Sequence, residues 1–207
     1  MPSLRHNFLL PTLAVTLALA APASAATSSS WERTTVAHAN SGSMRAQADC
    51  ANADTRAGGD VSEANMAKSA VCLLNNQRAR RGLHKLRQNA RLSKAARQHT
   101  SDMVRRRYFS HVSKSGSDIV DRLNRNGYMR GARSWTVGEN LAWGSGTRST
   151  PREIVAAWMK SRGHRANILQ RRFREIGIGV VFATPHRSSS AAGRAAATYT
   201  TTFGARS

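Results

Sequence analysis

Two histidines and one glutamate stand in short segments rich in turn residues: Phe109-Ser110-His111, Gly138-Glu139-Asn140 and Gly163-His164-Arg165-Ala166-Asn167-Ile168-Leu169. Brought together, two imidazoles and a carboxylate match zinc or another divalent ion that keeps one position open for water or substrate. Such an ion would lower the pKa of its water toward about 7 and could support hydrolysis. Each residue also has a structural use. His111 could cap a turn, Glu139 could accept backbone amides, and His164 could steady the end of a helix. The chain has no His-Glu-x-x-His helix, no Gly-x-Ser-x-Gly elbow and no phosphate-binding Gly-rich loop, so chemistry rests on His111, Glu139 and His164. Of the four glutamates after residue 60, Glu63 begins a helix, Glu153 completes a cap and Glu175 falls on the polar side of a strand. Glu139 alone has no local task. A buried carboxylate needs a partner, and the two histidines are the expected ones.

The elements that position these residues are legible from period and punctuation. Met66, Ala70, Val71 and Leu74 mark a helix starting near Glu63 and ended by Gly82, with Arg78, Arg80 and Arg81 in its last turns. A second helix, capped by Ser93, buries Leu92, Ala95, Ala96, His99 and Met103; His99 is read as a core histidine outside the site. Ser117 to Asn126 forms a third, closed by Gly127. Thr150-Pro151-Arg152-Glu153 opens a fourth with a capping-box pattern, which Gly163 ends just before His164. Asn167 then fixes a short turn.

Alternation gives three strands. Trp135, Val137, Glu139, Leu141 and Trp143 share a face of the first, which puts the glutamate in an apolar row. Ile176, Ile178, Val180 and Phe182 mark the second, and Tyr199, Thr201 and Phe203 the third, with Thr184 to Arg194 as a loose hairpin loop between them. Helices against a small antiparallel sheet give an α+β layered fold.

Residues 1–25 read as a signal peptide: Arg5 and His6, an apolar run from Phe8 to Ala21, and the small-residue site Ala23-Ser24-Ala25. The run is shorter than the roughly 20 residues of a membrane-spanning helix, so a secreted, monomeric protein without a transmembrane segment is expected. Residues 26–62 read as a flexible leader and 63–207 as one domain. Cys50 and Cys72 are the two cysteines, and in an exported chain they suggest a disulfide worth about 3 kcal/mol, two free thiols being the weaker alternative. A net charge of +21 favours polyanions such as anionic lipid headgroups and cell-wall polymers. Clusters at Arg78, Arg80 and Arg81, at Arg105 to Arg107 and at Arg171, Arg172 and Arg174 carry it. Only five basic residues are lysine, so compositional arginine bias on a solvated surface is the alternative. No helix-turn-helix, zinc-finger or RNA-recognition signature is present, which argues against a specific nucleic-acid partner.

Taken in order, the three opening segments resemble the CAP family (cysteine-rich secretory proteins, antigen 5 and pathogenesis-related proteins) in its bacterial SCP-like form. Leu73-Leu74-Asn75-Asn76-Gln77-Arg78, Ser101-Asp102-Met103, Asp121-Arg122-Leu123, Trp158-Met159 and Glu175-Ile176-Gly177-Ile178-Gly179-Val180 extend the resemblance over residues 68 to 204. It implies an α-β-α sandwich whose central cleft is lined by His111, Glu139 and His164 with a second glutamate. Here Ser161 stands where that second glutamate would be, which weakens mechanisms that need two carboxylates. The resemblance implies a secreted, non-catalytic binding module for a lipid, a wall component or a protein partner. A metal-dependent hydrolase or protease is the alternative.

Overall fold

The computed structural model describes residues 50–186 and 195–207. In chain order its elements are α1 (Glu63–Ala79), β1 (Arg87–Gln88), α2 (Ala90–Arg106), α3 (Ile119–Arg125), β2 (Trp135–Ser145) and a 3-10 turn (Gly146–Ser149). These are followed by α4 (Pro151–Lys160), α5 (Arg162–Leu169), β3 (Glu175–Val181) and β4 (Ala196–Arg206). The strands form one sheet in the order β1-β3-β4-β2, so β2 is an edge strand. β4 pairs antiparallel with β2 and β3, and β1 pairs parallel with β3. The α+β architecture expected from sequence is therefore present, but the sheet is mixed. Two residues of β1 are too few to show alternation, so this strand is silent in the sequence.

The two faces of the sheet are built differently. Ile176, Ile178 and Val180 of β3, with Tyr199 and Phe203 of β4, pack against α1, α4 and α5 in the larger core. On the other face β3 presents Gly177 and Gly179. A Cβ on either would collide with the α2 backbone, at Leu92–Ser93 or Ala96–Arg97. The missing side chains let α2 lie directly on the sheet, where Thr100 Oγ1 donates to Thr200 Oγ1 at 2.8 Å and Thr202 Oγ1 to the Leu92 carbonyl at 3.1 Å. Leu92 and Ala95 of α2 join Leu123 and Tyr128 in a smaller core there. Either Gly177→Ala or Gly179→Ala should destabilise the protein by about 1–3 kcal/mol through overpacking, read as a lowered midpoint in urea.

Local signals set most boundaries. Ser62 caps α1 through Asn65 N, and Thr150 caps α4 through Glu153 N with Pro151 at the first helical position. α3 begins with a reciprocal capping box between Asp118 and Asp121, and Gly127 beyond its end takes φ 72°. Three expectations are corrected. α2 is capped by Asn89, whose side chain accepts from Arg91 N and Leu92 N, so Ser93 lies inside the helix. Gly163 does not stop the fourth helix. Ser161, in an extended conformation, ends α4 and begins α5, which contains both Gly163 and His164. Arg78 is fully buried and carries none of the surface charge.

Residues 50–62, assigned from sequence to the leader, pack onto the domain. Cys50, Ala53, Ala57 and Val61 are in the larger core, Ala57 N donates to Ser149 Oγ, and Arg152 forms a two-pronged pair with Asp54. The Cys50–Cys72 disulfide, with Cα atoms 5.7 Å apart, fastens this segment to α1. The signal peptide, residues 26–49 of the leader and most of the hairpin loop lie outside the described residues. Among the described residues no helix is long and apolar enough to cross a membrane.

Candidate functional site

Glu139 lies midway along β2, opposite Thr202 of β4, which in turn faces Gly177 of β3. Residues directly opposite across a ladder share a face, so the Glu139 side chain points to the α2 side of the sheet. It is 7% exposed. Its principal partner is Arg122 of α3, whose Nη2 donates to Oε1 at 3.0 Å and to Oε2 at 2.8 Å. The guanidinium is fixed in turn by Nη1, which donates to the carbonyls of His111 at 3.1 Å and Ser117 at 2.9 Å. His111 Nδ1 stands 2.9 Å from Oε1. His99 Nε2, from α2, is 3.9 Å from the same oxygen and 3.0 Å from the Ser110 carbonyl.

The apolar row expected around Glu139 is only partial, because Trp135 and Trp143 at the strand's two ends are exposed. The expectation that both histidines would partner the carboxylate is also corrected. His111 does, through a ring that is 57% exposed at the side chain. His164 does not. It sits on α5, on the opposite face of the sheet, where its carbonyl accepts from Asn140 Nδ2 at 3.1 Å. Asn167, expected to brace a local turn, instead bridges elements, donating to the Glu139 carbonyl at 3.1 Å and Asn140 Oδ1 at 2.9 Å. Trp158 Nε1 donates to the Leu141 carbonyl and holds α4 against the same strand. The outer edge of β2 is thus lined by side chains from α4 and α5, with His111 and His164 close enough for their charges to interact.

Burial holds the His164 pKa below its ordinary value, and the charge of nearby His111 adds to the effect. Burial likewise lowers His99, outweighing the attraction of Glu139. A histidine whose folded pKa is lowered is protonated more readily in the unfolded chain. Stability is therefore retained above the unfolded pKa of about 6.5 and is lost as pH falls below it. Urea denaturation at pH 7.5 and 5.5 should show lower stability at 5.5, with a smaller difference in His99→Gln.

A metal centre of His111, Glu139 and His164 does not fit this geometry. Both Glu139 oxygens already face a guanidinium, His164 makes no bond to the carboxylate, and Ser161 supplies no second acid. Among the described residues no group of three or more His, Cys, Asp or Glu is arranged to hold a metal ion. What the arrangement offers is an oriented imidazole. With Nδ1 directed at the carboxylate, Nε2 of His111 has no protein partner among the described residues and is left for a ligand.

Sequence reasoning missed Arg122 and set His99 aside. Both carried a signal, since each stands on the apolar stripe of its helix: Arg122 between Ile119 and Leu123, His99 between Ala95 and Met103.

Residues 71–201 match the family described as Cysteine-rich secretory protein family, CAP. The uncharacterized protein YkwD of Bacillus subtilis (strain 168) is 39% identical over 136 residues, 66% of this chain and 49% of the relative. The chain thus spans about half the length of that curated relative. An SCP-domain extracellular protein from Bacillus anthracis str. Ames superposes with TM-score 0.52 at 26% identity, over 70% of this chain and 44% of that one. An outer surface protein from Borrelia burgdorferi gives TM-score 0.57 at 18% identity, over 71% and 97%, a likeness of fold.

Proposed function

Because the chain belongs to the cysteine-rich secretory protein family, we propose that it works outside the cytoplasm as a binding module, not as a catalyst. Its ligand would be a lipid, a wall component or a protein partner recognised beside β2 by His111 and His164. One observation carries this reading: the hold of Arg122 Nη2 on both Glu139 oxygens commits the carboxylate to an ion pair, away from base or metal-ligand duty. The +21 net charge supports an anionic partner, and the extracellular Bacillus anthracis neighbour supports export.

The test is co-sedimentation of residues 26–207 with phosphatidylglycerol-containing vesicles and with purified cell-wall polymer, in low and high salt. Saturable retention, weakened by salt and by the His111→Ala/His164→Ala pair, is the expected result. No retention on either material in low salt would contradict the reading.

One feature favours a second reading. An imidazole oriented by a carboxylate with its far nitrogen exposed is the geometry of a general base acting on water. Peptide hydrolysis that disappears in His111→Ala would replace the binding reading with this one.

A further inference from the structure

A cavity of about 220 Å³ lies between α2 and α3, with Arg122 and His99 of the Glu139 cluster in its lining. Arg105 and Arg106 of α2 and Arg125 of α3 stand at its exposed mouth, while Arg122 and His99 form its buried end. Asp102 is the only acid lining it. That carboxylate accepts from Tyr108 Oη at 2.5 Å and lies 3.6 Å from Arg105 and 4.0 Å from Arg106. Arg122 is matched by Glu139, and Asp102 offsets one of the other three guanidinium groups. The cavity therefore keeps a surplus of two positive charges.

We propose that this cavity is a binding site for a phosphoryl group. The volume is several times the roughly 30 Å³ share of a water molecule, yet below the ~300 Å³ at which pockets for drug-sized ligands begin. That size suits one compact head group and its waters. A carboxylate, with two oxygens, is satisfied by one arginine fork. Guanidinium groups borne by two helices around one cavity suit a tetrahedral anion with oxygens on several sides. Arg125 uses one N–H on Ser117 Oγ, at 2.7 Å, of the five donors an arginine carries. His99 at the buried end offers an acceptor nitrogen to the waters that accompany the anion, because its Nε2–H is taken by a carbonyl. It is 1% exposed, its Nε2 faces the Ser110 carbonyl, and its buried Nδ1 has no partner among the described residues. The inference deepens the binding reading above and rests on it for the anionic character of the partner. The phosphoryl group could belong to a lipid head group, to a phosphodiester polymer or to free phosphate.

The experiment is calorimetric titration of inorganic phosphate, with acetate as comparator, into residues 26–207. Two double variants remove equal charge from exposed positions: Arg105→Gln/Arg106→Gln at the cavity mouth and Arg171→Gln/Arg172→Gln away from it. Saturable phosphate binding that acetate does not reproduce, weakened about tenfold or more by the first pair and less than about threefold by the second, is expected. Phosphatidylglycerol vesicles and a soluble glycerol-phosphate chain, each tested on both pairs, then identify the source by which one the first pair loses. Absence of saturable phosphate binding, or equal loss in both pairs, would overturn the cavity as a site. If anionic vesicles were still retained, diffuse charge would explain the binding and the broader reading would survive.

Discussion

Arg122→Met should cost about 3–5 kcal/mol of stability in urea denaturation, because it leaves the buried carboxylate of Glu139 without its guanidinium partner. The side chains of the pair are 5% and 3% exposed, so the solvent screening that makes surface pairs nearly worthless does not apply. The same substitution also frees the carbonyls of His111 and Ser117, which Arg122 Nη1 otherwise satisfies. It should therefore loosen the 108–118 segment that presents His111, with faster amide exchange there. A double-mutant cycle with Glu139→Gln separates the pair from the packing. The two losses should be strongly non-additive, since the second change removes the charge that the first one stranded. A cost below about 1 kcal/mol, the range of an exposed pair, would show that Glu139 is not anchored in this way.

Arg78→Met should be comparably damaging, by about 3–5 kcal/mol, for a different reason. Arg78 is fully buried on α1 and meets backbone carbonyls: Nε donates to His84 O at 2.8 Å, Nη1 to Ile168 O at 2.8 Å and Gln170 O at 3.0 Å, and Nη2 to Phe173 O at 3.3 Å. The Ile168 and Gln170 carbonyls lie at the C-terminal end of α5, where a helix leaves acceptors unsatisfied and favours a positive charge. One guanidinium thus ties the end of α1 to the exit of the helix that carries His164. Arg78→Lys should recover only part of the loss, because an ammonium cannot span four acceptors with a planar fork. Thermal and urea unfolding of both variants, with amide exchange at residues 168–174, provide the check. Near-wild-type stability in Arg78→Met would contradict this role.

Both predictions concern charged residues that stand on apolar stripes, although Arg78 was expected at the surface and Arg122 was given no role. Met66, Ala70, Val71 and Leu74 were legible as the buried face of α1, and Arg78 follows Leu74 at the next helical step. Arg122 and His99 hold equivalent places on α3 and α2. Their burial could be read from that spacing, but their partners could not. Arg122 finds Glu139 across 17 positions and Arg78 finds Ile168 across 90, through packing that local pattern does not encode. The cap of α4 was legible in the sequence because a cap involves only three or four neighbours. The α4–α5 boundary was misplaced because glycine is common just past a helix end. Here Gly163 is not among the glycines with positive φ, and the extended backbone of Ser161 makes the break two residues earlier. The site residues were found by type and setting. Their arrangement was not, because a loop, a strand and a helix distant in the chain bring them together around a sheet whose strand order depends on long-range pairing.

The central claim is that Glu139 belongs to an arginine-held ion pair and not to a metal centre, and zinc titration tests it most directly. Calorimetry of zinc into metal-free residues 26–207, with His111→Ala and His164→Ala alongside, should show no one-to-one binding that depends on both histidines. Stoichiometric zinc binding abolished in each variant, with both variants still folded, would contradict the account and place a metal between the two imidazoles.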